Sequence, residues 1–106
     1  MKEGFIIIQV PGIKVDYCQY KNDKRNGYGI LRWPDEQEYR GNFKDDKFDG
    51  YGFDKNRNND EHYGQWKNGL LSGEAVFKSS STGRVERRFY KNDEVIEVLE
   101  VIEEGH

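Results

Sequence analysis

Cysteine is nearly absent from this chain of 106 residues. Cys18 stands alone, which excludes an intramolecular disulfide and any metal site built from several thiolates. Histidine is as scarce. His62 and His106 are the only two, neither has a cysteine or a plausible second ligand nearby, and no transition-metal site or cofactor is expected. Long apolar runs are missing too. The longest, Phe5-Ile6-Ile7-Ile8, is too short for a membrane span or for the core of a secretory signal, so a soluble intracellular, cytoplasmic protein without a transmembrane segment is expected. Only 34% of residues are hydrophobic and 35% are charged, a balance that in other chains signals disorder.

Charge of one sign is missing only at the end. Residues 93–106 hold six acidic residues and no Lys or Arg, whereas residues 14–92 hold 16 basic and 13 acidic ones. A nearly balanced body with an acidic tail gives nucleic acid no electrostatic foothold, and it disfavours anionic membrane.

Aromatic residues argue against disorder. Seven Tyr, six Phe and two Trp supply large apolar groups, and 12 Gly against two Pro suit a thin β-sheet. These residues recur. Tyr20-Lys21, Phe43-Lys44, Trp66-Lys67 and Tyr90-Lys91 follow one another at steps of 23 or 24 residues. Gly27, Gly50 and Gly73 keep the same step, as do Gly41 with Gly64 and Gly29 with Gly52, and Ala75 takes the next place after Gly52. Within a unit, Tyr39-Arg40-Gly41-Asn42-Phe43 alternates large or small apolar groups with polar ones, the period of a half-exposed strand. A polar turn, Lys44 to Gly50, and a return strand from Tyr51 complete a β-hairpin. Glycine inside a strand marks a close approach, and Gly41 and Gly64 are expected to leave room for an aromatic ring of a neighbouring strand.

These residues resemble the MORN-repeat family. Gly27-Tyr28-Gly29-Ile30-Leu31-Arg32-Trp33-Pro34-Asp35 fits the second half of that pattern, and Tyr39-Arg40-Gly41-Asn42-Phe43-Lys44 and Gly64-Gln65-Trp66-Lys67-Asn68-Gly69 fit the first. The likeness spans residues 17 to 91. It departs at Cys18 and Arg88, where Gly is expected, and at Asp16, His62 and Glu86, where the leading Tyr is expected. The resemblance implies an all-β fold, an elongated, twisted antiparallel sheet of consecutive hairpins in a single domain, with about two full and two partial repeats over residues 15–92. It implies no catalytic activity. It implies binding of protein partners in a larger assembly, cytoskeletal or ciliary in some relatives, with weak phospholipid binding as the alternative.

The ends are read as caps. Residues 1–14 are expected to give a strand from Phe5 to Val10, turned at Pro11-Gly12, that covers one open edge. Residues 93–106 are ambiguous. Apolar residues at 95, 98, 99 and 102 have helical spacing and Asn92 or Asp93 suits an N-cap, whereas Val and Ile favour strands. The spacing favours a short capping helix.

Other signals are weak. Gly27-x-Gly29 and Gly50-x-Gly52 lack the further residues of a phosphate loop. Asp54 to Gln65 lacks the Gly and Glu of a calcium loop. Arg84, Arg87 and Arg88 form a basic cluster that reads as a solvated edge strand or as contacts for an acidic ligand. The sheet is too thin to hide both faces, so Trp33, Tyr39, Phe43, Tyr63 and Trp66 are the candidate partner-binding aromatics.

Overall fold

The computed structural model describes residues 4–7 and 12–105, with backbone alone for the first four. Nine strands are described: β1 (Gly4–Ile7), β2 (Val15–Lys21), β3 (Lys24–Arg32), β4 (Glu38–Lys44), β5 (Lys47–Lys55), β6 (Glu61–Lys67), β7 (Leu70–Lys78), β8 (Val85–Lys91) and β9 (Glu94–Glu103). They form one antiparallel sheet in strict chain order, so each strand pairs only with its sequence neighbours. The body measures 47 × 25 × 17 Å, long along the stacking direction. The last part of the expected N-terminal strand and Pro11 fall outside the described residues. Among the described residues there is no helix, and so none long and apolar enough to cross a membrane.

Turn chemistry sets this order. Four hairpins close through two residues each, Asn22-Asp23, Asp45-Asp46, Asn68-Gly69 and Asn92-Asp93, and all eight have positive φ. Two successive left-handed residues make the turn whose twist matches that of the strands it joins, and Asn, Asp and Gly tolerate it best. The turns are also fastened to one another. The backbone N–H of Asp46 donates to Arg25 O at 2.9 Å, that of Gly69 to Phe48 O at 2.8 Å, and that of Asp93 to Leu71 O at 3.0 Å. Two of the carboxylates complete the pair: the N–H of Arg25 donates to Asp46 Oδ1 at 2.7 Å and that of Leu71 to Asp93 Oδ1 at 2.6 Å. The opposite margin carries the longer loops. There Arg57 bonds Asp35 at 3.2 Å and the N–H of Ser80 donates to Asp60 Oδ1 at 2.9 Å.

The recurring glycines divide into two physical kinds. Register slips fall between Cys18 and Tyr20, between Gly41 and Phe43, and between Gly64 and Trp66. Gly27, Gly50 and Gly73 sit opposite those slips with φ of 93°, 99° and 91°, the conformation a bulge demands and a side chain resists. The other kind forms a ladder across the sheet: Cys18, Gly29, Gly41, Gly52, Gly64 and Ala75 are register partners in succession. Here space decides. A β-carbon on Gly52 would lie 2.5 Å from the Tyr39 hydroxyl and 2.8 Å from its ring. The expectation that Gly64 likewise shelters a ring is corrected, because its β-carbon would meet Ala75 at 2.5 Å instead. Gly41 departs from the expectation too: a β-carbon there would meet the neighbouring backbone of Gly52 at 2.5 Å, and the Tyr39 hydroxyl, at 2.9 Å, belongs to its own strand.

The core lies on the face that this ladder shares with the inward rings. Cys18, Tyr20, Leu31, Tyr39, Phe43, Trp66, Leu71, Ala75 and Tyr90 are buried, with Ile13, Trp33 and Phe48 packed against them. Tyr39 stacks on Phe48 with centroids 3.7 Å apart and meets Phe43 and Trp66 edge-on at 5.2 and 5.4 Å. Offset and edge-to-face contacts of this kind add about 0.5–1.5 kcal/mol each beyond burial.

The expected C-terminal helix is absent, and residues 94–103 form β9 instead. Asn92-Asp93 closes a hairpin rather than capping a helix. Its pairing with β8 slips three times, so that Ile96, Leu99 and Ile102 have no register partner. The slips absorb the three-residue repeat of Glu-Val-Ile/Leu. They set Val95, Val98 and Val101 opposite the inward residues Tyr90, Arg88 and Glu86, and Glu97, Glu100 and Glu103 opposite Phe89, Arg87 and Val85. Segregating apolar from acidic side chains across an existing strand partner outweighs the isolated helix that spacing alone favours.

Candidate functional site

The face opposite the core carries the other half of each strand's side chains. A register row crosses it from Tyr17 through Ile30, Arg40, Phe53, Tyr63 and Val76 to Arg87. A second set, Tyr28, Tyr51 and Phe89, flanks that row. Tyr51 is 68% exposed, Tyr63 46%, Tyr28 44% and Phe89 41%. Alternation places these rings outside because their neighbours Gly29, Gly52 and Gly64 are committed to the core side.

Two shallow grooves of about 440 and 470 Å³ run between the rings. They share Tyr51, Gly52 and Tyr63, and the backbone of the glycine ladder forms their floor. One continues to Val76 and Arg87, the other to Tyr28, Arg40 and Phe53. Their walls are braced. The Arg40 guanidinium lies 5.0 Å over the Phe53 ring, which tilts against Tyr63 at 4.8 Å. The Tyr63 hydroxyl donates to Glu61 at 2.7 Å, and that carboxylate, followed by burial, pushes the phenol's pKa up. Gln65 donates to the Tyr51 hydroxyl at 3.3 Å. The result is a row of amphipathic rings held at one sheet repeat, an arrangement able to take the side chains of a protein partner.

Of the five aromatics expected to meet a partner, only Tyr63 lies in these grooves. Tyr39, Phe43 and Trp66 are core residues, and Trp33 is half-buried against them. That correction has a simple cause: the parity of a strand tells which residues share a face, but not which face is closed. Sequence reasoning misses Tyr28, Tyr51 and Phe89, although the 23-residue step linking Tyr28 to Tyr51 is a usable signal.

The basic cluster also has a different setting. Arg84 bonds Glu86 at 2.7 Å and Glu104 at 3.0 Å. Arg87 bonds Glu74 at 2.8 Å and Glu100 at 3.3 Å. Arg88 bonds Glu86 at 2.7 Å and stacks 3.9 Å over Phe77. The acidic groups facing these arginines therefore belong to the chain itself, two of them to the acidic end. Between Arg84 and Arg88, the Glu86 carboxyl is held below the usual carboxylate range.

At the other end, the buried Asp16 replaces a ring with a charge. It accepts from Arg25 and from the Tyr20 hydroxyl at 3.0 Å. Burial would raise its pKa, but the guanidinium and its hydrogen bonds outweigh burial and hold it low. Burial, then Asp16, pushes the Cys18 thiol up to about 12, so it remains an inert core thiol rather than a nucleophile. No group of His, Cys, Asp and Glu able to hold a metal occurs among the described residues.

The MORN repeat family model matches residues 19–37, 39–53 and 62–84, more than half of the chain. No curated protein matched it.

Proposed function

Because the chain belongs to the MORN-repeat family, we propose that it is a non-catalytic protein-interaction module that offers its outer face to a protein partner inside a larger intracellular assembly. Repeats of this family are in general protein- or lipid-binding modules. The observation that carries the protein reading is the unequal use of the two faces. One face seals Tyr39, Phe43 and Trp66, while the other leaves Tyr28, Tyr51 and Tyr63 around two joined grooves. Exposed rings grouped in this way are the usual anchors of protein interfaces. The acidic partners of Arg84, Arg87 and Arg88 weigh against a phospholipid headgroup at that cluster. A cytoskeletal or ciliary setting rests on the family resemblance.

The test compares the full chain with a Tyr51→Ala/Tyr63→Ala variant as bait in native extract. Both positions are exposed, so the fold should survive, as circular dichroism will report. Specific partners retained by the parent and lost by the variant support the reading. Equal retention by both sinks the outer-face assignment. Sedimentation of the parent with phosphoinositide vesicles, reversed by salt and without a protein partner, would replace it with the lipid role.

A further inference from the structure

The second and third hairpins differ at three inward positions. Tyr39, Phe48 and Gly52 of one correspond to His62, Leu71 and Ala75 of the other, each 23 residues on. Where Tyr39 lies flat on Phe48 at 3.7 Å and reaches the Asn42 carbonyl at 2.8 Å, the space is full. His62 is shorter, Leu71 has no ring, and the Ala75 methyl blocks the place a longer ring would take. What remains is a cavity of about 240 Å³ on the core face.

Its lining is selective in charge. Trp66, Tyr90 and His62 supply rings, and Asp54 and Asp93 supply carboxylates. Among the described residues no Lys or Arg lines it. Asp54 spends one oxygen on His62 Nδ1 at 2.8 Å, and Asp93 spends one on the Leu71 N–H at 2.6 Å. The second oxygen of each carboxylate makes no hydrogen bond among the described residues. Arg88, which bonds the hydroxyl of the lining residue Tyr90, is taken up by Glu86 and Phe77 as well. His62 and Asp54 keep 18% and 31% of their side-chain surface exposed, which leaves an entrance.

We propose that this cavity binds an organic cation, an alkylammonium or guanidinium group. Rings attract such a cation through their faces, and paired carboxylates fix its N–H donors. The group can come from a Lys or Arg side chain of a partner or from a free small molecule, and the experiment separates the two.

The probes are methylguanidinium, its neutral counterpart N-methylurea, and a blocked Gly-Arg-Gly peptide, each followed at the Trp66 indole N–H by nuclear magnetic resonance. Methylguanidinium should shift that signal saturably while N-methylurea does not. Asp54→Asn should weaken the binding at least fivefold without changing the backbone spectrum. The triple variant His62→Tyr/Leu71→Phe/Ala75→Gly, which rebuilds the filled arrangement of the second hairpin, should abolish binding and raise the thermal midpoint. A peptide that binds tenfold tighter than methylguanidinium assigns the source to a partner side chain, and equal affinity assigns it to a free cation. Lack of a saturable shift, an equal response to N-methylurea, or undiminished binding by a folded triple variant overturns the proposal.

Discussion

The Tyr39 ring lies directly over Gly52, its hydroxyl 2.5 Å from where a β-carbon would sit, and that hydroxyl donates to the Asn42 carbonyl at 2.8 Å. The glycine and the ring are thus one joint, made by the neighbouring strands β4 and β5 on a shared face. Gly52→Ala should destabilise the fold by about 1–3 kcal/mol, and Gly52→Val by more, because the ring has backbone beneath it and nowhere to move. Tyr39→Phe keeps the packing and should lose only about 1 kcal/mol, the worth of the hydrogen bond. Urea unfolding of the three variants checks the order, and a Gly52→Val protein as stable as Tyr39→Phe would contradict the joint.

The buried Asp16–Arg25 pair sets a dependence on acidity. Arg25→Met leaves the carboxylate buried without its cation and should cost about 3–5 kcal/mol. The carboxyl of Asp16 has a lowered pKa in the folded chain. Its contribution is therefore complete above the ordinary carboxylate range and fades as pH falls through the lowered folded value. Denaturant midpoints measured between neutral and strongly acidic pH should fall less steeply in Asp16→Asn than in the parent.

One fastening between turns is incomplete. Asp46 and Asp93 cap the N–H of Arg25 and Leu71, but the corresponding residue facing Phe48 is Gly69. Gly69 has φ of 85°, near the 70° of Asp46, and nothing lies within 4 Å of a β-carbon there. Gly69→Asp should supply the missing carboxylate and add about 1 kcal/mol net of the left-handed strain. Calorimetry should show a thermal midpoint raised by about 4–8 °C.

The last strand makes a sharper prediction. Deleting Ile96, Leu99 and Ile102, the residues without register partners, leaves a strictly alternating Glu-Val segment able to pair with β8 without slips. The variant should keep the parent's far-ultraviolet spectrum, with no helical minimum in either. Its flat edge should promote association once the glutamates are protonated, since bulges and charge both guard open edges. Light scattering at neutral and acid pH reads the difference.

Much of this fold was legible in the sequence because the repeat is written in residues with strong local preferences. Asn68-Gly69 and its counterparts announce tight turns, and the ring before each Lys announces a strand end. Other features were hidden. Gly50 and Gly52 look alike in sequence, yet one meets a demand of backbone angle and the other a demand of space. Tyr63 and Trp66 sit three residues apart on one strand and face opposite sides, a distinction that depends on which side the chain closes. Residues 94–103 misled because a three-residue repeat mimics helical spacing until bulges fold it into a sheet.

The bonds along both margins join each hairpin to its immediate neighbours, and on the margin of tight turns the same backbone N–H and carbonyl recur at every step. A structure wired this way has no centre to protect. Whole hairpins can be gained or lost in an evolving lineage with the remaining joints unchanged, so the length of the ribbon is free to drift while the protein still folds.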